Sequence, residues 1–140
     1  MTPEDLAALT ARAFPESRAR WRTGDFRSFL DTPGAFLATG PHGFAMGRVA
    51  ADEAELILIA TDPDHRRAGH GRNALAAFEA EAHARGARRA YLDVAEGNRA
   101  ARGLYLSAGY TEVARRPGYY RTSAGRTQTA LILEKALIRP

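Results

Sequence analysis

The sequence predicts an α/β or α+β fold in which helices pack on a mixed β-sheet. Segments with apolar residues at helical spacing alternate with short apolar runs bounded by glycine and proline, which are typical of strands. One such run, residues 56–60, is apolar throughout, which favours a strand buried on both faces. The chain has 140 residues, 45% of them hydrophobic, and no cysteine, so its stability has to come from a hydrophobic core. We therefore expect residues 1–140 to form one domain.

Residues 3–61 are expected to form two helices and three strands. The first helix is predicted over residues 3–14, because Leu6 and Leu9 begin a helical apolar pattern and Glu4 and Asp5 occupy the first turn, where the helix dipole favours acids. A second, short helix is predicted over residues 17–23, a strand hairpin over 35–39 and 44–50, and a central strand over 55–61.

The second half of the chain alternates helices and strands. After residue 64 the apolar period becomes 3.6, so that Leu75, Phe78 and Ala82 share one helix face. The opposite, outward face should carry Glu79, Glu81, His83 and Arg85, and Gly86 should end the helix. A strand is then predicted over residues 91–95, a helix from residue 98 to about 109, and strands over 110–116 and 127–137. The elements thus follow the order α, α, β, β, β, α, β, α, β, β.

Charge and composition narrow the function classes. Twenty Lys and Arg against 16 Asp and Glu give a net charge of +4, and Lys135 is the only lysine, so a permanently charged arginine surface favours an anionic partner. There is no block of like charges and no nucleic-acid-binding module, so a phosphorylated small molecule fits as well as nucleic acid. The missing cysteines exclude an acyl-cysteine intermediate. Without a secretory signal or an apolar run of about 20 residues, we expect a soluble, cytoplasmic protein with no membrane contact.

A glycine loop between the central strand and the following helix is a candidate anion site. It reads Arg66-Arg67-Ala68-Gly69-His70-Gly71-Arg72. Unpaired N–H groups and the helix dipole attract a phosphate there, and the two glycines let it approach the backbone, so pyrophosphate is the natural ligand. The loop lacks the Gly-Lys-Ser/Thr ending of a Walker loop and the glycine spacing of the dinucleotide fingerprint, which argues against ATP and NAD. An ordinary strand-to-helix turn with solvated arginines is the alternative.

A second set of polar residues follows the glycine loop. Asp93 interrupts an apolar strand, where burying a carboxylate is costly, so it either serves function or pairs with an arginine or a helix end. Asn98 suits a helix N-cap, and Tyr105 lies two helical turns later on the same face, where core packing is its alternative role. The four histidines show no metal-ligand spacing, so we expect them at the surface and predict no metal.

Together these residues resemble the GNAT family of acetyl-CoA-dependent N-acetyltransferases, and within it the bacterial ribosomal-protein alanine N-acetyltransferases. The similarity is strongest over residues 57–120. It rests on Ile59-Ala60-Thr61-Asp62-Pro63, the loop over 66–72, Leu92-Asp93-Val94, Asn98, Leu104-Tyr105 and Gly109-Tyr110, and continues at Arg116 and Tyr119-Tyr120. Residues 12–15 are similar too, whereas residues 24–54 carry little family signal.

The resemblance implies a mixed, mostly antiparallel sheet splayed between its fourth and fifth strands, flanked by about four helices, with acetyl-CoA in the opening. It implies that Asp93 is the general base and Tyr105 the general acid. The cofactor-binding residues it implies are Ile59, Ala60 and Thr61 for pantetheine, and Arg67, Ala68, Gly69, His70, Gly71, Arg72 and Asn98 for pyrophosphate. The close family pattern has glutamate where this chain has Asp93, which favours a base acting through water. Glu55, at the start of the central strand, is the rival base.

We expect transfer of acetyl from acetyl-CoA to a primary amine by direct attack, with the N-terminal α-amine of a protein as acceptor. A free α-amine titrates near 7.7–8.0, against about 10.4 for lysine, so it needs less help from a base. A small-molecule amine, such as a polyamine, amino acid or antibiotic, is the alternative acceptor. A non-catalytic acyl-CoA-binding module is the alternative function. Tyr119 and Tyr120, on a predicted loop, are candidates for the wall that binds the acceptor. Trp21, Phe26 and Phe29 are expected to belong to the hydrophobic core; lining a peptide-binding wall is their alternative role.

Overall fold

Helices and strands follow one another in the predicted order. The computed structural model describes residues 1–15, 21–65, 69–121 and 125–137. Its helices and strands are α1 (Pro3–Ala13), α2 (Thr23–Leu30), β1 (Ala35–Gly40), β2 (Gly43–Ala50), β3 (Glu53–Thr61), α3 (His70–Ala84), β4 (Arg89–Ala95), α4 (Arg99–Ser107), β5 (Thr111–Arg121) and β6 (Thr127–Ala136), with a short 3₁₀ helix at Pro63–His65. Among the described residues, no helix is both long enough and apolar enough to cross a lipid bilayer.

The six strands form one mixed sheet, which confirms the predicted fold class. Their spatial order is β1-β2-β3-β4-β6-β5, and only β3 and β4 are parallel. A parallel pair needs a crossover connection, and α3 supplies it. Successive strand residues point to opposite faces of the sheet, so Ala45 packs in a cluster with Leu75 and Phe78 of α3, whereas Phe44 packs in a second cluster with Leu6 of α1. The sheet is therefore covered by helices on both faces.

The sheet opens in its middle. β3 and β4 pair at only three positions, Glu53–Arg89, Ala54–Ala90 and Glu55–Tyr91. Beyond Glu55 the edge of β3 that faces β4 has no strand partner in the described chain. The splay that the resemblance implied thus lies between the third and fourth strands in chain order, one place earlier than expected.

A β-bulge marks the point where the two strands separate. Met46 of β2 faces Leu58 and Gly47 faces Leu56, so Ile57 has no partner of its own. Such an extra residue bends the strand that carries it. It also reverses the alternation of faces, because Leu56 packs with the α3 cluster whereas Leu58 packs with the α1 cluster. The bulge therefore turns β3 away from β4 just past their last pair.

Gly47 permits close packing beside this bulge. A Cβ atom on Gly47 would lie 2.4 Å from the Phe78 ring, which no side chain can accommodate. The Phe78 ring in turn stacks on Phe36 with centroids 5.5 Å apart. Glycine in the interior of β2 thus lets α3 approach the sheet.

Several sequence expectations are corrected. Of the helix expected over residues 17–23, Trp21 and Arg22 are not helical, and α2 begins at Thr23, where the Asp25 carboxylate accepts a hydrogen bond from the Arg22 amide at 2.8 Å. Residues 16–20 lie outside the described residues, and Trp21 precedes the helix. Glu79 does not face solvent, since it accepts a hydrogen bond from Lys135 at 2.8 Å and is half-buried.

The expectation that the central strand is buried on both faces is also wrong. Ile57, Leu58 and Ile59 are only half-buried, because β4 diverges and leaves them beside the opening. β5 extends five residues further than the predicted end at residue 116, through Pro117 and Gly118, to Arg121. Tyr119 and Tyr120 therefore lie on a strand and not on a loop.

Candidate active site

The opening between β3 and β4 forms a cavity of about 750 Å³. It is lined by Ala7, Thr10, Ala11 and Phe14 of or next to α1, by Trp21, Arg22 and Thr23, by Leu56, Ile57, Leu58 and Ile59 of β3, by Leu92, Asp93, Val94 and Ala95 of β4, and by Asn98, Ala101, Tyr105 and Tyr120. Most of the lining is apolar. The polar side chains from β4, α4 and β5 project from one wall, which we call the β4 wall; the other, the β3 wall, is the strand from Leu56 to Ile59.

The β3 wall offers backbone groups more than side-chain chemistry. Of the three residues expected to bind pantetheine, Ile59 lines the cavity. Ala60 is 2% exposed, its side chain packs in the α1 cluster and it pairs with Phe44 of β2, so it presents no exposed group to the cavity. The Thr61 methyl lies 3.8 Å from the position that a Cβ on Gly71 would take, which brings the end of β3 against the start of α3.

The N-terminus of α3 is built to leave its amides unpaired. Gly69 is the N-cap with φ of 79°, a left-handed conformation that glycine adopts without strain. No side chain caps the helix, and its first turn contains no acid. The first helical N–H groups therefore have no partner within the helix, which makes an anion site. His70, Gly71 and Arg72, expected in the loop before the helix, form the first turn of α3 instead.

The arginines of the glycine loop are placed only in part. Arg66, Arg67 and Ala68 lie outside the described residues. Arg72 is exposed and donates a hydrogen bond to the Ser107 hydroxyl at 2.6 Å. Arg72 thus links the first turn of α3 to the last residue of α4.

The β4 wall brings Asp93, Asn98 and Tyr105 together as the sequence predicted. Asp93 is exposed on β4 between the buried residues Leu92 and Val94, so the strand holds its backbone rigidly while the carboxylate faces the cavity. The Asn98 side chain accepts a hydrogen bond from the Ala101 amide at 3.2 Å and caps α4. All three residues line the cavity.

Tyr105 is held as a protonated phenol. Its side chain is 6% exposed, and burial, followed by the negative charge of Asp93, raises the pKa of Tyr105 to about 12. Both causes disfavour the phenolate. Over the whole neutral range the hydroxyl is therefore a proton donor.

Tyr120 is a polar group of the cavity that sequence reasoning assigned to a different role. Its hydroxyl donates a short hydrogen bond to Asp93 Oδ2. Burial, then this bond and the Asp93 charge, raise the pKa of Tyr120. Arg116 pairs with Ala130 and Tyr120 with Gln128, so residues 117–119 form an irregular bulge opposite a single residue. Pro117 and Gly118 lie in this bulge, and bulges near active sites re-aim side chains in this way.

Glu55, the rival base, lies at the closed end of the opening. It faces Tyr91 in the last pair of β3 and β4, and the Tyr91 hydroxyl donates a hydrogen bond to it at 3.5 Å. Arg48 lies 3.7 Å from the same carboxylate. Glu55 does not line the cavity among the described residues, whereas Asp93 does.

Aromatic residues close the end of the cavity near α1 and α2. Phe26 is fully buried and belongs to the core, as expected. Trp21 packs on it with centroids 5.2 Å apart and also lines the cavity, so it combines both expected roles. Tyr119 is 53% exposed beside Tyr120, with its ring 5.6 Å from the Arg116 guanidinium.

Comparison with known proteins agrees with this geometry. The model of the acetyltransferase (GNAT) family matches residues 4–110. The ribosomal protein bS18-alanine N-acetyltransferase of Escherichia coli (strain K12) is 36% identical over 126 residues, which are 88% of this chain and 82% of that protein. The chain belongs to the GNAT family.

Solved GNAT structures share its fold. The crystal structure of the ribosomal-protein-S18-alanine N-acetyltransferase from Escherichia coli superposes with a TM-score of 0.82 at 31% identity, covering 96% of this chain and 86% of that one. The structure of yncA from Salmonella typhimurium, solved with its cofactor acetyl-CoA, superposes with a TM-score of 0.77 at 20% identity, covering 100% and 92%. This GNAT protein is an acetyl-CoA-dependent N-acetyltransferase.

Proposed function

We propose that this GNAT enzyme acetylates the N-terminal α-amine of a protein that begins with a small residue such as alanine, with a ribosomal protein as the natural acceptor. The proposal is supported by the matched Escherichia coli enzyme, which acts on the alanine of a ribosomal protein and covers most of the chain. Such an acceptor places the enzyme in the cytoplasm, where ribosomal proteins are made. The observation that carries the proposal is the pairing of Asp93 and Tyr105 in one open cavity.

Asp93 is the proposed base, acting through a water molecule. Its carboxylate is short, and Tyr120 already donates to Oδ2, which fixes the carboxylate plane and leaves Oδ1 as the oxygen that receives the proton. The amine then attacks the thioester carbon directly; the chain has no cysteine, so an acyl-cysteine intermediate is excluded. Glu55 is a poorer candidate because its carboxylate is already engaged by Tyr91 and Arg48 outside the cavity.

Tyr105 is the proposed proton donor to the departing thiolate. Its protonated phenol lies on the same wall as Asp93, so base and acid face the reacting atoms together. Positioned proton transfer of this kind contributes about 10²–10⁴-fold to a rate. The thioester itself supplies the acetyl group.

The β3 wall and the start of α3 are the proposed binding surface for acetyl-CoA. The unpaired edge of β3 at Ile59 and Thr61 offers backbone N–H and C=O groups to pantetheine, and the uncapped amides from Gly69 to Arg72 offer donors to pyrophosphate. Hydrogen bonds to a charged acceptor contribute roughly 1.5–3 kcal/mol each. Asn98, Arg67 and Ala68 stay predicted cofactor contacts.

The acceptor is proposed to be an α-amine because the proposed base, Asp93, has a short side chain and acts through a water molecule. The pKa gap between an α-amine and a lysine is about 2.5 units, which amounts to about 3.4 kcal/mol of deprotonation cost. A carboxylate acting through water is poorly suited to supply that amount. We therefore expect lysine side chains to be poor acceptors.

The test is acetylation of a peptide panel with acetyl-CoA, with the modified nitrogen mapped by fragmentation mass spectrometry. Peptides with free N-terminal alanine should carry the label on the α-amine. The matched control has the same sequence and internal lysines but a blocked N-terminus, and it should stay unlabelled. Label on lysine side chains, or only on polyamines and free amino acids, would contradict the N-terminal acceptor while leaving acetyl transfer itself intact.

A further inference from the structure

Three of the four histidines converge in space, although their sequence spacing gave no sign of it. The rings of His42, in the β1–β2 turn, and His65, after β3, stack with centroids 3.7 Å apart. His70 meets the His42 ring edge-on at 4.6 Å. His65 is exposed and His42 and His70 are half-buried, so these histidines lie at the surface as expected, but as a cluster. The fold produces the cluster because it places the β1–β2 turn beside the end of β3.

A carboxylate completes the cluster. Asp62 Oδ2 lies 3.5 Å from His65 Nδ1. Asp62 Oδ1 is held from the other side, by Arg12 at 2.7 Å and by the Asp64 amide at 2.9 Å. The backbone also joins the two segments, because the Asp62 amide donates to the His42 carbonyl at 2.7 Å. One oxygen of Asp62 is thereby fixed in place while the other faces the imidazoles.

We propose that His42, Asp62 and His65 form a binding site for a divalent transition-metal ion, with zinc as the probe of choice. One ligand atom from each of the three residues lies within 4.8 Å of the others. Donors around one zinc ion lie about 3.3 Å apart at bond lengths of about 2.0–2.2 Å. The His42 and His65 rings, stacked with an interplanar angle of 7°, have to tilt toward each other to direct one nitrogen each at the same ion. Two imidazoles and a carboxylate also suit zinc, nickel or cobalt, whereas magnesium and calcium prefer oxygen ligands alone.

The residues around the site favour a cation over an anion. A phosphate would have to approach the Asp62 carboxylate, whose charge repels it, and Arg12 is already bound to that carboxylate and to Asp64, at 3.0 Å. His70 adds a third imidazole beside the site, and its Nδ1 is buried without a hydrogen-bond partner among the described residues. A bound ion would therefore join the β1–β2 turn to the segment after β3, close to the start of α3.

The experiment is titration of the untagged, metal-stripped enzyme with ZnCl₂ by isothermal calorimetry, followed by its melting temperature. We expect one zinc ion per chain and a raised melting temperature. His65→Ala, at an exposed position, should weaken zinc binding by about 100-fold or more, because loss of even an outer-shell partner costs ~10–100-fold. His42→Ala should weaken it similarly. Substitution by Co²⁺ should give visible absorption bands in the wild type that the His65→Ala enzyme lacks.

His83→Ala is the matched control. His83 lies on α3 outside the cluster, so its loss should leave zinc affinity unchanged. The proposal is overturned if zinc does not bind, if binding survives both His42→Ala and His65→Ala, or if His83→Ala weakens it as much as they do. Stabilisation by inorganic phosphate but not by zinc would also overturn it and show an anion site. Circular dichroism of each variant separates loss of binding from loss of fold.

Discussion

The two walls of the opening differ in what they present to a ligand. The β3 wall, with the start of α3, offers unpaired backbone groups among apolar side chains, whereas the β4 wall offers Asp93, Tyr105 and Tyr120. Backbone donors bind any anionic or amide-bearing ligand, while a carboxylate and a phenol move protons. We therefore expect the β3 wall to bind the cofactor and Asp93 and Tyr105 of the β4 wall to carry the chemistry. Substitutions of Asp93 and Tyr105 should therefore change kcat, and substitutions at the start of α3 should change acetyl-CoA affinity.

The starts of α1 and α3 show the same contrast on a smaller scale. Thr2 and Asp5 form a reciprocal capping box at α1, with hydrogen bonds of 2.9 and 3.1 Å that satisfy its first amides. α3 starts with Gly69 and has no side-chain cap. A helix end that satisfies its own donors is structural, whereas one that leaves them open beside a cavity is suited to a phosphate.

The largest effect is expected on the β4 wall. Tyr105→Phe should lower kcat by about 10²–10⁴-fold, because the departing thiolate loses its proton donor. Acetyl-CoA affinity should stay close to that of the wild type. Tyr91→Phe is the matched control, since it removes a phenol outside the cavity. Steady-state kinetics measure kcat, and calorimetric titration measures acetyl-CoA affinity. If the Tyr105→Phe enzyme keeps the wild-type rate, Tyr105 serves only to pack the core.

Asp93→Asn should lower kcat/KM by about 10²-fold, near the lower end of the effect of a positioned base. The loss should be greatest at low pH, where the α-amine is protonated, and rising pH should partly restore the rate. Asp93→Glu should stay active because it keeps a carboxylate on the same strand.

Glu55→Gln is the comparison that tests the choice of base. It should leave the pH-rate profile unchanged, because Glu55 lies outside the cavity. If Asp93→Asn is fully active across the pH range while Glu55→Gln is not, Glu55 is the base and Asp93 is not.

Gly71→Leu tests the binding side. Acetyl-CoA at 100 times its dissociation constant should stabilise the wild type by about 2.7 kcal/mol, and the leucine side chain should abolish that gain by blocking the phosphate. Thermal unfolding with and without acetyl-CoA makes the measurement. Gly71→Ala is the control for folding, because a Cβ there would sit 3.5 Å from Leu104, an ordinary contact. If Gly71→Leu binds acetyl-CoA with wild-type affinity, the start of α3 does not bind the pyrophosphate.

The smallest effect concerns the pH profile of the wild type. kcat/KM should rise about tenfold per pH unit below the α-amine pKa of about 7.7–8.0 and then level off. Between that plateau and pH 10, kcat/KM should not decrease, because Tyr105 must be protonated to act and its pKa is raised to about 12. A descending limb between pH 8 and 9.5, measured with a peptide acceptor, would assign the acid role to another group.

The local pattern of the sequence determined the order of the elements and the family, but not the position of α2. Helical spacing located α1, α3 and α4, glycine and proline located the turns, and the run from Ile57 to Tyr120 identified the GNAT family. These features are short-range, because a helix cap or an apolar period depends on residues a few positions apart. The roles of Asp93 and Tyr105 came from the resemblance and remain predictions.

The tertiary structure decided the features that depend on contacts between segments far apart in the sequence. Leu56 to Ile59 are all apolar, so no local signal showed that the bulge at Ile57 would reverse their faces and open the sheet. The hydrogen bond from Tyr120 to Asp93 depends on the register of β5 against β6, and the histidine cluster depends on a turn and a strand end 20 or more residues apart. The sequence by itself therefore determined which groups are available. Only the packed sheet decided which of them meet, because strand register and bulges are set by contacts between distant segments.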